Sequence, residues 1–313
     1  MPHTHEGAST GRFMGLAVVL TLAFVVGEAV AGYLANSLAL LSDAGHNFAD
    51  ALALILSWYA IRAARRPANA WRTFGSHRVG ILAALVNAVS LVVIALGIFW
   101  EAVQRLRAPE PVQSGLMIGV AVVAVLLNGV ISFWLRGEAR HDLNVRSAYL
   151  HMLGDTLSAL GVVTAGIVVA ATGATIADPV VSLLIGVLIL WSSWGILAES
   201  VNVLLEAAPA SVDMAALEQA VREAPGVLGV HDLHVWTVAS GIIACSCHII
   251  VAEQSVRSGQ QVLRSVASLL RERFGVSHTT IQIEVEGCES DEMYCALRPI
   301  EEPHPHGDPG RNG

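Results

Sequence analysis

Six long apolar stretches constrain the fold more than any other feature of this sequence. They lie at roughly 13–35, 38–61, 79–103, 116–135, 145–172 and 176–201. Each reaches or approaches the ~20 residues that an α-helix needs to cross ~30 Å of hydrocarbon. The chain is only 14% charged, whereas a typical soluble domain has about 25% charged residues. The sequence therefore predicts an α-helical polytopic membrane protein whose six transmembrane helices lie in a lipid bilayer.

The arginines of the connecting segments predict the orientation of these helices. Five arginines follow the second stretch, and three more lie between residue 136 and the first residues of the fifth stretch (positions 136, 140 and 146), whereas the segments after the first and fifth stretches contain none. Basic residues accumulate in the cytoplasmic loops of membrane proteins. We therefore expect both termini in the cytoplasm, with the helices in a bacterial inner membrane. The formal net charge of -8 argues against a nucleic-acid partner, because phosphate backbones bind basic proteins.

The composition changes at about residue 204, where a more polar region begins. Its patterns follow the order helix, strand, strand, helix, strand, at 214–224, 227–238, 242–251, 256–274 and 279–285. This αββαβ order predicts a small α+β sandwich. We therefore divide the chain into a cytosolic N-terminal tail (1–11), a transmembrane domain (12–203), a cytosolic domain (204–287) and a disordered C-terminal tail (288–313).

Two of the apolar stretches contain the same polar motif, His-x-x-x-Asp. The second stretch carries His46 and Asp50, and the fifth carries His151 and Asp155. Residues four apart lie on one face of a helix, so two such helices face to face would present two imidazoles and two carboxylates. Four N and O ligands suit a tetrahedral Zn²⁺ ion. A buried polar contact that fixes helix packing is the alternative. The duplication favours a metal site, because polar groups in a bilayer are costly.

The histidines also suggest how transport could be driven. Metal binding requires the neutral imidazole and so releases protons, and a site that trades a metal ion for protons is a natural antiporter. Two further acidic residues of the apolar stretches, Glu28 and Asp43, are candidates for lining an access path. Hydrogen bonds between helices are the alternative role for them. Asp178 is expected to cap the start of its own helix.

Four segments carry a resemblance to a known family. They read SLALLSDAGHNFAD (37–50), YLHMLGD (149–155), VHDLHVWT (230–237) and HTTIQIE (278–284). In this order they resemble the cation diffusion facilitator family, and within it the zinc-type bacterial metal/proton antiporters. The resemblance implies six transmembrane helices, cytosolic termini, a ferredoxin-like C-terminal domain and a homodimer. It also implies the exchange of cytosolic divalent metal for protons through the two His-x-x-x-Asp motifs.

The resemblance assigns roles in the cytosolic domain as well. In the family's fold the positions of His231, His248 and Glu284 converge and that of His278 is nearby, which implies a regulatory Zn²⁺ site that tightens the dimer. A set of histidines hydrogen-bonded within the α+β core is the alternative. Cys288 and Cys295 resemble a terminal cysteine pair of some relatives and are candidate thiol ligands, with free thiols as the alternative.

The function predicted from the sequence is export of divalent metal, Zn²⁺ above all but also Cd²⁺ or Co²⁺, because one N/O tetrahedron accepts all three ions. An intramembrane metalloenzyme and a metal sensor without transport remain as alternatives. Zinc enzymes need an open coordination position and usually a general base, whereas two matched motifs resemble a closed carrier site. A sensor would explain the cytosolic histidines but not the paired intramembrane motifs.

Overall fold

The computed structural model describes residues 6–137, 139 and 143–286. The chain divides into two compact units, the first ending at Asn202 and the second beginning at Val203. In the described part, the membrane half consists of the helices α1 (Glu6–Ala35), α2 (Leu38–Ala64), α3 (Val79–Arg107), α4 (Ser114–Leu135), α5 (Leu143–Thr172) and α6 (Ala177–Leu204). The remainder forms α7 (Met214–Arg222), β1 (Gly229–Ala239), β2 (Ile242–Ile250), α8 (Val256–Phe274) and β3 (Val276–Glu284).

Four helices are both long enough and apolar enough to span a bilayer when only the described residues are counted. They are α3, α4, α5 from Ala148 onward, and α6. α1 supplies a shorter apolar helix over Thr21–Ala35. α2 is 27 residues long, but Asp43, His46 and Asp50 lower its mean hydropathy. Such polar residues persist in a membrane helix mainly where they serve a function.

Small residues let the helices of the first unit pack closely. Its core includes alanines from five of the helices, namely Ala35, Ala39, Ala49, Ala95, Ala121 and Ala165. Helix backbones approach each other where side chains are small, and here α2 packs against α1 and α3, and α4 packs against α5. Large apolar side chains point outward instead, among them Trp134, Trp191 and Trp194. This inside-out distribution is the one expected of helices that contact lipid.

The buried carboxylate of Asp178 joins the start of α6 to the start of α2. Its oxygens accept hydrogen bonds from Ser37 Oγ (2.6 Å) and from the backbone N–H groups of Leu38 (2.7 Å) and Ala39 (3.1 Å). The first N–H groups of a helix have no partner within the helix and attract negative charge. The prediction that Asp178 caps its own helix is therefore wrong, because its side chain caps α2.

The second unit has the αββαβ order predicted from the sequence. β1 and β2 are antiparallel and meet at a tight turn, where Gly241 has a φ of 75° that favours glycine. β3 lies parallel to β2, which gives the sheet order β1-β2-β3. The helices and one face of the sheet share a core that includes Leu217, Leu233, Ile249 and Leu270. Together with the helical first unit, this arrangement confirms the predicted fold class.

A β-bulge in β1 changes which face its residues point to. His231 pairs with His248, but His234 pairs with Ser246, so β1 advances by one residue more than β2. Between the two histidines, Asp232 has a φ of 50°, in the left-handed region. Side chains of a regular strand alternate between faces. The bulge therefore lets His231 and His234 lie on the same face of β1, although they are three positions apart.

Candidate metal centres

α2 and α5 bring two histidines and two aspartates together inside the first unit. His46 Nε2 lies 3.6 Å from Asp50 Oδ2 on its own helix and 3.3 Å from Asp155 Oδ1 on α5. His151 Nε2 lies 3.3 Å from Asp50 Oδ2 and 3.7 Å from Asp155 Oδ2. Each histidine thus faces one carboxylate on its own helix and one on the other helix. We call these four residues the intramembrane cluster: ligand atoms of His46, Asp50 and Asp155 all lie within 4.8 Å of one another, and His151 stands outside that set of three while it approaches both carboxylates.

The spacing within the intramembrane cluster suits a metal ion better than direct hydrogen bonds. In a tetrahedral zinc site with bonds of ~2.0–2.1 Å, the ligand atoms lie roughly 3.3–3.5 Å apart. The four N···O distances here are 3.6, 3.3, 3.3 and 3.7 Å. Asp50 Oδ2, which faces both histidines, is buried and has no hydrogen-bond partner. Buried polar atoms are rarely left without a partner, and a cation between these atoms would supply one.

Two further acidic residues lie beside the intramembrane cluster. Glu28 of α1 is 1% exposed and Asp43 of α2 is 2% exposed. Asn47 Nδ2 donates a hydrogen bond to Glu28 Oε2 (2.9 Å), and Ser158 Oγ donates one to Asp43 Oδ1 (2.7 Å). The two residues that the sequence suggested for an access path therefore belong to a buried polar network that connects α1, α2 and α5.

The three strands of the second unit bring together His231, His248 and Glu284. His231 lies opposite His248 in the β1–β2 pair, with ring centroids 5.0 Å apart. His231 Nε2 is 2.9 Å from Glu284 Oε2, and His248 Nδ1 is 3.0 Å from Glu284 Oε1. Each oxygen of the Glu284 carboxylate thus faces one imidazole. This cytosolic cluster offers three of the four ligands of a tetrahedral zinc ion within 4.8 Å of one another.

The chemistry of the cytosolic cluster fits a bound metal ion. His248 Nδ1 is buried and makes no hydrogen bond, although it lies close to Glu284. Burial acts to raise the pKa of Glu284, but hydrogen bonds with His231 and Gln282 and the charges of the histidines lower that pKa below its ordinary value. The carboxylate is therefore negatively charged at neutral pH. An unpaired imidazole nitrogen beside a carboxylate is the donor set that Zn²⁺ prefers.

His278 does not join the cytosolic cluster. It lies opposite Ala244 on β2, whereas the β3 residue opposite His248 is Gln282. His278 precedes Glu284 by six residues of extended chain, which separates the two by roughly 20 Å along the strand. The structure therefore brings three of the four predicted cytosolic ligands together and leaves His278 at the other end of β3.

The described cysteines point away from the cytosolic cluster. Cys245 and Cys247 are buried in the core, on the opposite face of β2 from His248. Contact with the sulfur of Cys247, together with burial, raises the pKa of the Cys245 thiol, so this group stays neutral. Cys288 and Cys295, the candidate terminal thiol ligands, lie outside the described residues.

Asp232 is a neighbour of the cytosolic cluster that the sequence pattern did not single out. Its Oδ1 lies 3.0 Å from His234 Nε2, and its Oδ2 lies 3.6 Å from His248 Nε2. Because His248 Nδ1 faces Glu284, Nε2 is the nitrogen left to interact with Asp232. Carboxylates commonly orient metal-binding histidines through the second ring nitrogen in this way. Asp232 lies at the bulge in β1. The alternation of polar and apolar residues does not predict a bulge, so the sequence pattern did not indicate that Asp232 would lie beside His248.

Two family models match consecutive parts of the chain. One, described as the cation efflux transmembrane domain, matches residues 14–205, which is more than half of the sequence. The other, described as the cytoplasmic domain of the cation efflux protein, matches residues 209–286. The chain belongs to the cation efflux family. This result confirms the resemblance to cation diffusion facilitators that the four sequence segments indicated.

Several members of the family are similar to this chain along almost its whole length. The zinc transporter ZitB of Escherichia coli (strain K12) is 40% identical over 304 residues, which cover 94% of this chain and 96% of the relative. The metal cation efflux system protein CzcD of Cupriavidus metallidurans is 38% identical over 287 residues (92% and 90%). The cadmium, cobalt and zinc/H(+)-K(+) antiporter of Bacillus subtilis is 31% identical over 309 residues (98% and 99%). These names agree with the expectation of a secondary transporter rather than an enzyme.

Solved structures that are similar to part of this chain include one from a relative already named. It is the metal-bound C-terminal domain of the CzcD transporter from Cupriavidus metallidurans, with 34% identity and a TM-score of 0.22, and it covers 23% of this chain and 99% of that one.

Proposed function

We propose that the protein is a secondary active exporter of divalent metal, with Zn²⁺ as its main cargo and Cd²⁺ or Co²⁺ as further ones. It moves the ion out of the cytoplasm across a bacterial inner membrane in exchange for protons, and both of its termini are cytoplasmic. Residues 12–203 form the transport domain and residues 204–287 the cytosolic domain. Membership of the cation efflux family and the names of its relatives support this direction of transport.

One observation carries the proposal, namely the gathering of two imidazoles and two carboxylates from α2 and α5. His46 and Asp155, more than a hundred positions apart in sequence, approach to 3.3 Å. Two aspartates neutralise the charge of a divalent ion, which matters because charges interact strongly in a medium of low dielectric constant. The side chain of His151 is 44% exposed, whereas that of Asp155 is 6% exposed. A ligand set that is open on one side can take up and release its ion.

Proton exchange follows from the chemistry of the ligands. A metal ion binds the neutral imidazole and the charged carboxylate, so binding expels protons and release allows them to return. One relative, the Bacillus subtilis protein, is named as an antiporter that uses H⁺ and K⁺, which supports a monovalent ion as the counter-substrate. Glu28 and Asp43 lie beside the path that ions and protons take to the ligands.

The cytosolic cluster is proposed to hold a regulatory Zn²⁺ ion. His231, His248 and Glu284 would supply three ligands, and water or a further side chain would supply the fourth. The protein acts as a homodimer, and metal bound in the cytosolic domain strengthens the contact between the two copies. Such a site responds to the cytosolic metal concentration. A metal ion that binds the dimer more tightly than the monomer shifts the equilibrium between the two toward the dimer.

The proposal is tested by zinc uptake into proteoliposomes that contain the purified full-length protein and a zinc-sensitive dye. A pH gradient with an acidic interior should drive uptake by the wild-type protein, and collapse of the gradient should stop it. His46→Ala and Asp155→Ala should each reduce the initial rate by at least about 100-fold, because each removes a ligand for which no other group substitutes.

Thr164→Ala is the matched control on α5. The Thr164 hydroxyl is exposed and donates only to the Leu160 carbonyl of its own helix, so this variant should transport at the wild-type rate. Uptake that ignores the pH gradient would contradict proton exchange. Uptake that survives both ligand substitutions would contradict the intramembrane cluster as the transport site. Metal binding without uptake by the wild-type protein would favour a sensor.

A further inference from the structure

The segment between α2 and α3 combines a high positive charge with an exposed tryptophan. We call residues 65–78 the α2–α3 loop. Five arginines lie between positions 62 and 78, whereas residues 51–100 include no aspartate, glutamate or lysine. Arg65, Arg66 and Arg72 are exposed, and Trp71 is 95% exposed. Among the described residues, no carboxylate forms an ion pair with these three arginines, so their charges remain available to an anionic partner.

The backbone of the α2–α3 loop holds Trp71 in a defined position. Asn69 and Arg72 exchange two backbone hydrogen bonds of 3.1 Å each, which closes a tight turn around Trp71. The side-chain Oδ1 of Asn69 also accepts hydrogen bonds from the backbone N–H groups of Trp71 and Arg72, at 3.0 Å each. The Arg72 guanidinium donates a hydrogen bond to Ser76 Oγ (3.1 Å). The turn therefore presents a large apolar side chain to its surroundings from a hydrogen-bonded backbone.

Exposed aromatic side chains on α2 indicate where the membrane surface lies relative to this loop. Trp58 and Tyr59, in the last two turns of α2, are exposed. Tryptophan and tyrosine concentrate at the boundary between the hydrocarbon and the headgroups of a bilayer. The helix ends at Ala64, six residues beyond Trp58, which is roughly 9 Å along its axis. The α2–α3 loop therefore begins at the depth of the lipid headgroups.

From these observations we infer that the α2–α3 loop is a binding surface for anionic phospholipids, in which Arg65 and Arg66 bind headgroup phosphates and Trp71 enters the boundary below them. Arginine matches the geometry of phosphate through its paired N–H groups. An anionic leaflet attracts basic residues beside a membrane helix, and the indole ring prefers the boundary region to water. The proposed orientation places this surface in the cytoplasmic leaflet. The inference goes beyond transport, because lipid binding here requires neither zinc nor a pH gradient.

The fluorescence of Trp71 in lipid nanodiscs that contain the full-length protein tests this inference. The chain has seven tryptophans, so the signal of Trp71 is taken as the difference between wild type and Trp71→Phe in matched nanodiscs. Replacing about half of the phosphatidylcholine by phosphatidylglycerol should shift this difference spectrum to shorter wavelength and reduce its quenching by acrylamide by about half. Acrylamide is neutral, so an anionic surface does not repel it. Equal emission and equal quenching in the two lipid compositions would overturn the inference.

Variants of the arginines test the electrostatic part of the inference. Arg65→Gln/Arg66→Gln should need an about fivefold larger fraction of phosphatidylglycerol for the same spectral shift, because it removes two charges from the membrane surface. Arg65→Lys/Arg66→Lys keeps both charges and should respond within about twofold of wild type. Arg257→Gln/Arg264→Gln is the matched control, since it removes two charges from exposed positions of α8, and it should respond like wild type.

A further arm separates lipid headgroups from soluble phosphate. Inorganic phosphate added to the protein in pure phosphatidylcholine nanodiscs should leave the Trp71 difference spectrum unchanged, because free phosphate offers no apolar boundary to the ring. A spectral shift caused by inorganic phosphate would assign the arginines to a soluble anion and overturn the lipid-binding surface. An undiminished shift in Arg65→Gln/Arg66→Gln, or an equal loss in the α8 variant, would overturn it as well. None of these measurements uses zinc, so a failure of the proposed transport function would be seen separately.

Discussion

The protein contains two clusters that both combine imidazoles with carboxylates but differ in the spacing of these groups. In the intramembrane cluster, the closest N···O distances across α2 and α5 are 3.3 Å, longer than a usual hydrogen bond. In the cytosolic cluster, both Glu284 oxygens lie 2.9–3.0 Å from a ring nitrogen. The first spacing matches ligands around an ion, and the second matches direct contact between the side chains. The helices thus keep the side chains of the intramembrane cluster apart, whereas those of the cytosolic cluster contact one another directly.

The scaffolds explain this difference. Three hydrogen-bonded strands fix the positions of His231, His248 and Glu284, because the register of a sheet cannot shift gradually. The intramembrane cluster is divided between two helices, whose separation is set by side-chain packing and by the bond from Ser158 to Asp43. Helices can tilt or slide by small amounts without losing their internal hydrogen bonds. This freedom is consistent with the proposed transport role of the intramembrane cluster, and the fixed sheet is consistent with the proposed regulatory role of the cytosolic cluster.

The largest effect expected from this comparison concerns Asp50, whose Oδ2 faces both histidines of the intramembrane cluster. Asp50→Asn should lower the initial rate of zinc uptake into proteoliposomes by at least about 100-fold, because the amide removes a negative ligand while keeping its shape. Circular dichroism should show unchanged helix content. An uptake rate within about tenfold of the wild-type rate would contradict the proposal that the intramembrane cluster is the transport site.

The second prediction concerns the cytosolic cluster. In a His46→Ala background, Glu284→Gln should weaken zinc binding by about 10- to 100-fold in equilibrium dialysis of the full-length protein. In the otherwise wild-type chain, Glu284→Gln should lower the initial rate of zinc uptake far less than Asp50→Asn does. His278→Ala is the matched control on the same strand, and it should leave the affinity unchanged. Equal losses for the two variants would place His278 among the ligands after all.

The third prediction concerns the support of the cytosolic cluster by Asp232. Asp232→Asn should reduce zinc affinity in the same assay by about tenfold, since it weakens the group that orients the His248 ring without removing a ligand. Glu284→Gln should therefore have the larger effect of the two. An Asp232→Asn variant with wild-type affinity would show that the sheet alone orients His248.

The smallest effect expected is a dependence of cytosolic-domain stability on pH in the presence of a chelator. Hydrogen bonds in the folded state lower the pKa of Glu284, so the folded chain holds this proton less tightly than the unfolded chain. The contribution is present above the ordinary glutamate pKa of ~4.3 and is lost as the pH falls through the lower folded value. Its size should be under about 1 kcal/mol for a partly exposed pair. Denaturant unfolding of wild type and Glu284→Gln at pH 6 and pH 3 measures it, and an equal pH effect in both proteins would refute it.

Local sequence patterns predicted the elements well but only some of the contacts between distant elements. Apolar length and helical spacing indicated the helices, and alternation such as that of Ile281 and Ile283 indicated β3. The two His-x-x-x-Asp motifs could be paired because spacing of four fixes one helix face, and duplication suggested a shared ion. The elements could be predicted because they depend on residues that are neighbours along the chain, whereas the shared ion stays a prediction.

The features that the sequence did not give depend on tertiary packing. Asp178 caps α2 across 140 positions of sequence, and no local signal distinguishes that role from a cap on its own helix. The bulge at Asp232 needs the partner strand to define it. His278 was expected near the cytosolic cluster by family resemblance, but the parallel register of β2 and β3 sets it opposite Ala244. Register and long-range caps are properties of the folded chain.

The Asp178 carboxylate has a mechanical consequence for α2. Three hydrogen bonds fasten the first residues of α2 to the start of α6, so this end acts as a pivot. Asp50 lies twelve residues beyond Leu38, or roughly 18 Å along the helix axis. A rotation of about 10° around the pivot would displace Asp50 by roughly 3 Å, about the distance that now separates it from His151. A small rotation of α2 is thus enough to separate the proposed metal ligands while the start of the helix stays bound to Asp178.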